Sequence, residues 1–313
     1  MRVHRNGEIY FVTNRCEQER LFMRPSPEIN RLIGAWLAKA LREHGHGIEL
    51  FAFVFLSNHL HLLLRDNNGR LAEFMWFFQA NLARAINRHL GRRGHFFSRE
   101  YDAVPVLTDA DIEERYAYIV TNAVKAGLVD KAAHGPFFSS LELALTDEPR
   151  RFRWLDRTRL HNRTRRGQRV KRSDFVEVYE LQLTIPPSWR GLSTRARRKR
   201  IRELVRTSEQ RYRAERRAEG RSVLGRRRIL SQAPTMRPRD PARRPRVKVF
   251  CKLRELKDAY LAGLRDLIGR YREAYGAWLS AVRRGVGTAV EWPPGCYPPS
   301  ALRPLPSSAS STT

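Results

Sequence analysis

Residues 48–64 read Ile48-Glu49-Leu50-Phe51-Ala52-Phe53-Val54-Phe55-Leu56-Ser57-Asn58-His59-Leu60-His61-Leu62-Leu63-Leu64. The run from Ile48 to Leu56 is apolar almost throughout and rich in Phe and Val, which suits a strand buried on both faces. After Ser57 and Asn58, His59 to Leu64 reads as a second strand, closed by the turn-forming Asp66-Asn67-Asn68-Gly69. Upstream, Gly7 to Cys16 reads as a strand, and Asn30 to His44 as an amphipathic helix with Leu32, Ile33, Trp36, Leu37 and Leu41 on its apolar side. Downstream, Arg70 to Leu90 is a long helix, Phe96 to Leu107 is extended, and Thr108 to Val129 is a helix that Thr108 and Asp111 open as a capping box and that ends near Gly127. The order βαββαβα is the split βαβ arrangement of an α+β, ferredoxin-like sandwich, an antiparallel sheet with helices packed on it.

Alternate side chains of a strand point the same way, so His59 and His61 share one face while Leu60, Leu62 and Leu64 pack the other. Two imidazoles at this spacing can bind one divalent ion, although an isolated pair is more often two polar residues on a solvent face. His44-Gly45-His46 has the same spacing but lies among glycines at a helix end, and reads as a loop. In the helix from Thr108, at about 100° per residue, Ile112, Tyr116, Ile119, Val120, Ala123 and Ala126 fall on one side and Glu114, Tyr118, Asn122 and Lys125 on the other. Tyr116 is therefore the core tyrosine. Tyr118 lies in a polar stripe, where a tyrosine is most often an ordinary surface residue. Its company is an amide oxygen able to act as a hard ligand (Asn122), a cation able to hold a phosphate (Lys125) and the histidine pair.

The chain has 313 residues with 60 Lys+Arg against 32 Asp+Glu, a net charge of +28. Residues 1–145 carry a net +2 and residues 146–313 a net +26. So one-sided a charge favours a polyanionic partner, nucleic acid first and an anionic membrane surface second. The spread of charge and composition divides the chain into a folded module over 1–145, an arginine-rich, mainly helical extension over 146–233, a Pro and Arg linker over 234–245, an amphipathic helix over 246–284 and a Pro and Ser-rich tail over 285–313, extended or disordered. The densest basic cluster of the extension is Arg195, Arg197, Arg198, Lys199 and Arg200, the expected grip on nucleic acid. No apolar run approaches the roughly 20 residues that cross a bilayer, and no secretory signal opens the chain, so no membrane role is expected. Three irregularly spaced cysteines offer neither a disulfide framework nor a CxxC zinc pair, and a reducing cytoplasm is the expected location.

Ser57-Asn58-His59-Leu60-His61-Leu62-Leu63-Leu64 resembles the HUH motif, two histidines around a hydrophobic residue, of single-tyrosine transposases. Tyr118-Ile119-Val120-Thr121-Asn122-Ala123-Val124-Lys125-Ala126-Gly127-Leu128-Val129 resembles their tyrosine helix, and Gly94-His95-Phe96-Phe97-Ser98-Arg99-Glu100-Tyr101 their approach to the fourth strand. The resemblance runs from Tyr10 to Phe138 and is greatest to the REP-associated tyrosine transposases. Ser57 and Ala123 depart from it, each standing where the family usually has Pro.

The resemblance implies a metal-dependent transposase and single-stranded DNA endonuclease. His59 and His61, with Asn122 as third ligand, would hold Mg²⁺ or Mn²⁺. Tyr118 would attack the scissile phosphate near a hairpin and form a 5′-phosphotyrosine, from which strands rejoin without ATP. Absence of a GxxxxGK[ST] loop agrees with this. The expected partner is single-stranded or hairpin DNA in a bacterial nucleoid. A homodimer stays open, since insertion-sequence relatives exchange tyrosine helices between subunits while REP-associated ones can act as monomers. Two rival readings are a catalytically inactive hairpin-binding protein on the same fold, and a zinc hydrolase that recruits His89, His95 or His134 as a third ligand.

Overall fold

The computed structural model describes residues 5–238, 247–284, 290–294 and 296. One compact unit spans Gly7–Phe250, and a second is made of Met1–Asn6 with Cys251–Thr313. Part of the expected linker (239–245) and most of the expected tail (285–289, 295 and 297–313) lie outside the described residues.

In the larger unit the expected order forms: β1 (Glu8–Arg15), α1 (Pro27–His44), β2 (Ile48–Phe55), β3 (His59–Asp66), α2 (Leu71–His89), β4 (Asp102–Pro105) and α3 (Asp109–Val120). A short α4 (Asn122–Lys125) and a two-residue β5 (Phe138–Ser139) follow. The sheet order is β4-β1-β3-β2-β5 and every pairing is antiparallel, so the ferredoxin-like core gains one further edge strand and β3 lies at its centre.

The sheet has two covered faces. Tyr10, Val12, Leu60, Leu62 and Leu64 point to α1 and α2, where Ile33, Leu37, Phe74 and Phe78 meet them. Phe11, Val54, Leu56 and Leu63 point to the face covered by Ile112, Tyr116 and Ile119 of α3. Strand β2 serves both faces. A bulge between Leu50 and Ala52 turns Phe51 and Ala52 to the α3 side while Leu50, Phe53 and Phe55 stay on the α1 side.

Local chemistry sets the helix ends. Ser26 accepts the Ile29 N–H at 3.1 Å to start α1, with Pro27 in its first turn. The buried Asp66 carboxylate, at the end of β3, accepts N–H groups of Arg70 and Leu71, each at 2.9 Å, and so ties the central strand to the start of α2.

Residues 146–233 lie within the same compact unit. After α5 (Leu141–Thr146), strand β6 (Arg150–Leu155) pairs with β7 (Val176–Leu181) as a two-stranded ribbon that carries α6 (Arg157–Arg165) between its strands. Periodicity in this arginine-rich stretch is weak, because Phe152 is the single buried residue of β6. The ribbon seats Phe152, Tyr179 and Leu181 in the α1-side core. At Gly34 of α1 a Cβ would stand 2.1 Å from the Phe152 ring, so only glycine fits. The expected basic helix is α7 (Thr194–Ala218), followed by α8 (Arg226–Ser231); Ile201, Tyr212 and Ile229 join the α3-side core.

In the smaller unit α9 (Arg254–Arg283) buries Leu267, Trp278 and Ala281, and Tyr271 packs 5.3 Å from Trp292. Phe250, expected on this helix, instead extends the sheet edge, its N–H donating to Pro105 O at 2.8 Å. Among the described residues no helix is long and apolar enough to cross a membrane.

Candidate active site

The central strand places His59 and His61 on the α3 face, their ring centroids 5.0 Å apart. Antiparallel register sets Arg15 of β1 opposite His59, and Thr13 opposite His61. Residues directly opposite share a face, so a cation lies beside the pair. Phe11, two residues further along, packs 4.9 Å from His61.

Tyr118 on α3 faces this strip, its ring 5.4 Å from His61 and 5.7 Å from Phe11, both edge-on. The helix does not run on to Val129 as one rod. It breaks at Thr121 (φ −110°, ψ 11°), whose hydroxyl donates back to the Ala117 carbonyl at 2.5 Å, a local bond that competes with helix geometry. The break turns Asn122 inward: where the helical wheel places it on a polar stripe, it is only 4 % exposed. Ile112, Tyr116, Ile119, Val120 and Ala123 are buried as the wheel requires.

Two polar atoms here are buried without a hydrogen-bond partner: Nδ1 of His61 and Oδ1 of Asn122. Buried polar atoms are nearly always satisfied, so these two stand out as exceptions. His59 is held differently. Its Nδ1 lies 2.7 Å from the Asn58 side-chain oxygen, and Asn58 in turn donates to the Glu19 carbonyl at 3.2 Å. Donation from His59 Nδ1 leaves Nε2 with its lone pair. The loop that offers the Glu19 carbonyl holds Gln18 and Glu19 at positive φ, 52° and 57°, a conformation unusual for side-chain-bearing residues.

Electrostatics agrees with neutral imidazoles. Burial, then the Arg15 charge, pushes His59 down to about 4, with the Asn122 side chain opposing. Burial also drives His61 well below its ordinary value, reinforced by His59, Arg15, Lys125 and Arg115. Burial pushes the Tyr118 phenol up, against the Asn122 amide and the Arg115 and Arg15 charges.

Lys125 is exposed, yet its ammonium lies 4.4 Å from the Tyr118 ring centre and 5.8 Å from that of Tyr212 on α7. Arg115 lies 5.5 Å from the Tyr118 ring and 4.4 Å from that of Phe250. Sequence reasoning brings forward His59, His61, Tyr118, Asn122 and Lys125, and the fold gathers all five. It does not find Arg15, Arg115, Phe11 or Tyr212. Register could have placed Arg15 and Phe11 once the partner of β3 was known; no local signal marks Arg115 or Tyr212.

The basic cluster of α7 has a different fate. Arg197 donates to Leu192 O and Asp147, Arg198 to Thr146 O, and Arg200 pairs with Glu113 at 2.5 Å. These three fasten α7 to the body of the protein, while Arg195 and Lys199 are exposed. His44, expected in a loop, ends α1 and lies 2.9 Å from Glu73, its ring against Phe77. Among the described residues no group of three His, Cys, Asp or Glu is placed to hold a metal, so His89, His95 and His134 do not complete a site with the pair.

Among solved structures the chain is similar to a REP-associated tyrosine transposase bound to a REP hairpin, at 16% identity over 47% of this chain and 84% of that one, with a TM-score of 0.39. It is also similar to a Deinococcus radiodurans protein assigned as a transposase, at 17% identity over 38% of this chain and 93% of that one, with a TM-score of 0.29. No family model matches the chain, and no curated protein does.

Proposed function

We propose that this protein is a transposase-type enzyme that cleaves and rejoins single-stranded DNA beside hairpins, with Tyr118 as nucleophile and without ATP. The observation that carries the reading is the pair of orphaned atoms, His61 Nδ1 on the sheet face that Tyr118 overlooks and Asn122 Oδ1 on the helix just after Tyr118. Two imidazoles and an amide oxygen suit Mn²⁺, and Mg²⁺ where water fills the remaining positions. His59, His61 and Asn122 would hold the ion, which when bound acts as a Lewis acid on phosphate oxygens.

The chain's own groups do the rest. Arg15, Arg115 and Lys125 supply positive charge on the phosphate's side of the site, as a pentavalent, charge-rich transition state requires. The Tyr118 oxygen attacks phosphorus. The phenol gives up its proton to solvent, the bond from phosphorus to the 3′ oxygen breaks as that oxygen takes up a proton, and a 5′-phosphotyrosine and a 3′-hydroxyl result. Because the phosphodiester energy is kept in the tyrosyl ester, a 3′-hydroxyl can reverse the step and join strands. Arg195 and Lys199 remain available to the DNA beyond the site.

The test is incubation of end-labelled hairpin DNA carrying a single-stranded flank with the protein and Mn²⁺ or Mg²⁺. The expected result is a covalent protein–DNA adduct with the parent and none with Tyr118→Phe. An adduct that persists in Tyr118→Phe removes the nucleophile assignment. Tight hairpin binding with no cleavage by the parent in either metal assigns the fold to hairpin binding alone.

A further inference from the structure

The α6 arm has no role in the site just described, and its composition is extreme. Of the sixteen residues 157–172, eight are Arg or Lys and none is acidic. Helix α6 buries none of its residues, and a helix polar on every side gains almost nothing from packing. It is held by the Asp156 side chain, which accepts the Arg159 N–H at 2.9 Å, and by the ribbon beneath it. Some of its cations have protein partners: Arg159 lies 3.6 Å from Glu177, and Arg163 donates to Gln168 at 2.9 Å. Arg157, Arg165, Arg166 and Arg169 are exposed. In contrast to Arg197, Arg198 and Arg200 of the α7 cluster, which fasten helix to body, this arm presents most of its charge to solvent.

Position and chemistry identify the ligand. The ribbon packs on the α1 side of the sheet, whereas His59, His61 and Tyr118 lie on the α3 side. Proteins that hold single strands place exposed aromatic rings among their cations, because bases stack on them. Here Phe152, Phe175 and Tyr179 are buried, and Trp154 packs 4.4 Å from Trp36. What remains outward, apart from the single imidazole of His161, is arginine, lysine, threonine, asparagine and glutamine, residue types that supply most phosphate contacts. We propose that the α6 arm is a second DNA site, on the face opposite the candidate catalytic residues, that grips the phosphate backbone of duplex DNA. The choice of DNA over RNA rests on the function proposed above; the grip itself does not.

The test is binding of a labelled 20-base-pair DNA duplex across a salt series by the full chain and by R157Q/R165Q/R166Q/R169Q. The expected result is a loss of about tenfold or more at moderate salt, with the slope of log affinity against log salt falling by roughly one per arginine removed. The set R157K/R165K/R166K/R169K should bind like the parent, since a phosphate accepts a point charge. Removing four cations from α9 instead (R254Q/K257Q/R265Q/R272Q) should cost far less. Equal loss in the α9 set, an unchanged slope in the α6 glutamine set, or loss in the lysine set would each overturn the proposal. So would a stronger effect on single-stranded dT oligomers than on duplex, or preference for duplex RNA. Tyr118→Phe should bind duplex as the parent does, so failure of the nuclease reading and failure of this one are separately visible.

Discussion

The orphaned oxygen of Asn122 and the engaged nitrogen of His59 assign different work to neighbouring groups. Asn58 orients His59, and if His59 is a metal ligand as proposed, a group that fixes its tautomer in this way is worth about 10- to 100-fold in metal affinity. Asn58→Ala should therefore weaken Mn²⁺ binding by that factor, measured by titration with Mn²⁺ alone, and leave thermal stability within a few degrees. An unchanged affinity would mean that His59 needs no such support. Lys125 lies over the ring of Tyr118, the proposed nucleophile. A cation over an aromatic face is worth about 0.5–2 kcal/mol, so Lys125→Met should slow adduct formation on the order of tenfold while hairpin affinity changes by only a few-fold. A loss confined to affinity would reassign Lys125 to DNA binding beyond the site.

The elements show what the sequence could reveal and what it could not. Strand β3 was legible because its two-residue period separates His59 and His61 from Leu60, Leu62 and Leu64. Tyr116 was separable from Tyr118 for the matching reason on a helix. The break at Thr121 was not legible, since a threonine in a helical pattern gives no warning that its hydroxyl will return to the Ala117 carbonyl. Nor was the β6–β7 ribbon, whose first strand has a single buried side chain, Phe152, that is answered by a glycine 118 positions earlier in the chain. That pairing makes a prediction at its own scale. Gly34→Ala should cost about 1–3 kcal/mol by overpacking, read by denaturant unfolding, and Phe152→Leu in the same chain should recover part of it. Additive losses would show that the two positions do not compete for the same space.

The same elements are tied down by carboxylates whose protonation can be followed. Burial raises Glu113, but donation from Arg200 and Trp189 outweighs it and leaves the group below its ordinary 4.5. Bonds from Tyr179 and Arg42 likewise hold Glu177 below 4.5 despite burial. A carboxylate depressed in the folded state stays ionised where the unfolded chain has already taken up a proton. Its contribution is full above the unfolded value and fades as pH falls below about 4.5. Stability should decline on acidification through that window, and Glu113→Gln with Glu177→Gln should flatten the decline. A decline as steep in the double variant as in the parent would locate the acid-labile groups elsewhere.

At the scale of the molecule, the net charge of +28 acts on two equilibria in opposite senses. The folded chain concentrates cations that the unfolded chain spreads apart, so self-repulsion works against folding and salt relieves it. Binding to DNA releases counterions, so salt weakens it steeply: for six to ten phosphates, on the order of 10³ to 10⁵ between 50 and 200 mM. Raising salt over that interval should raise the melting temperature of the free protein by a few degrees while duplex affinity collapses. Many cations near the sheet already have acidic partners, among them Arg200 with Glu113 and Arg42 with Glu177. Such pairs are weakened by the same salt. The sign of the melting shift therefore reports which population dominates. A rise means that unpaired cations such as those of the α6 arm set the balance; a fall means that the paired ones do, and that the basic half is held together by its charges rather than strained by them.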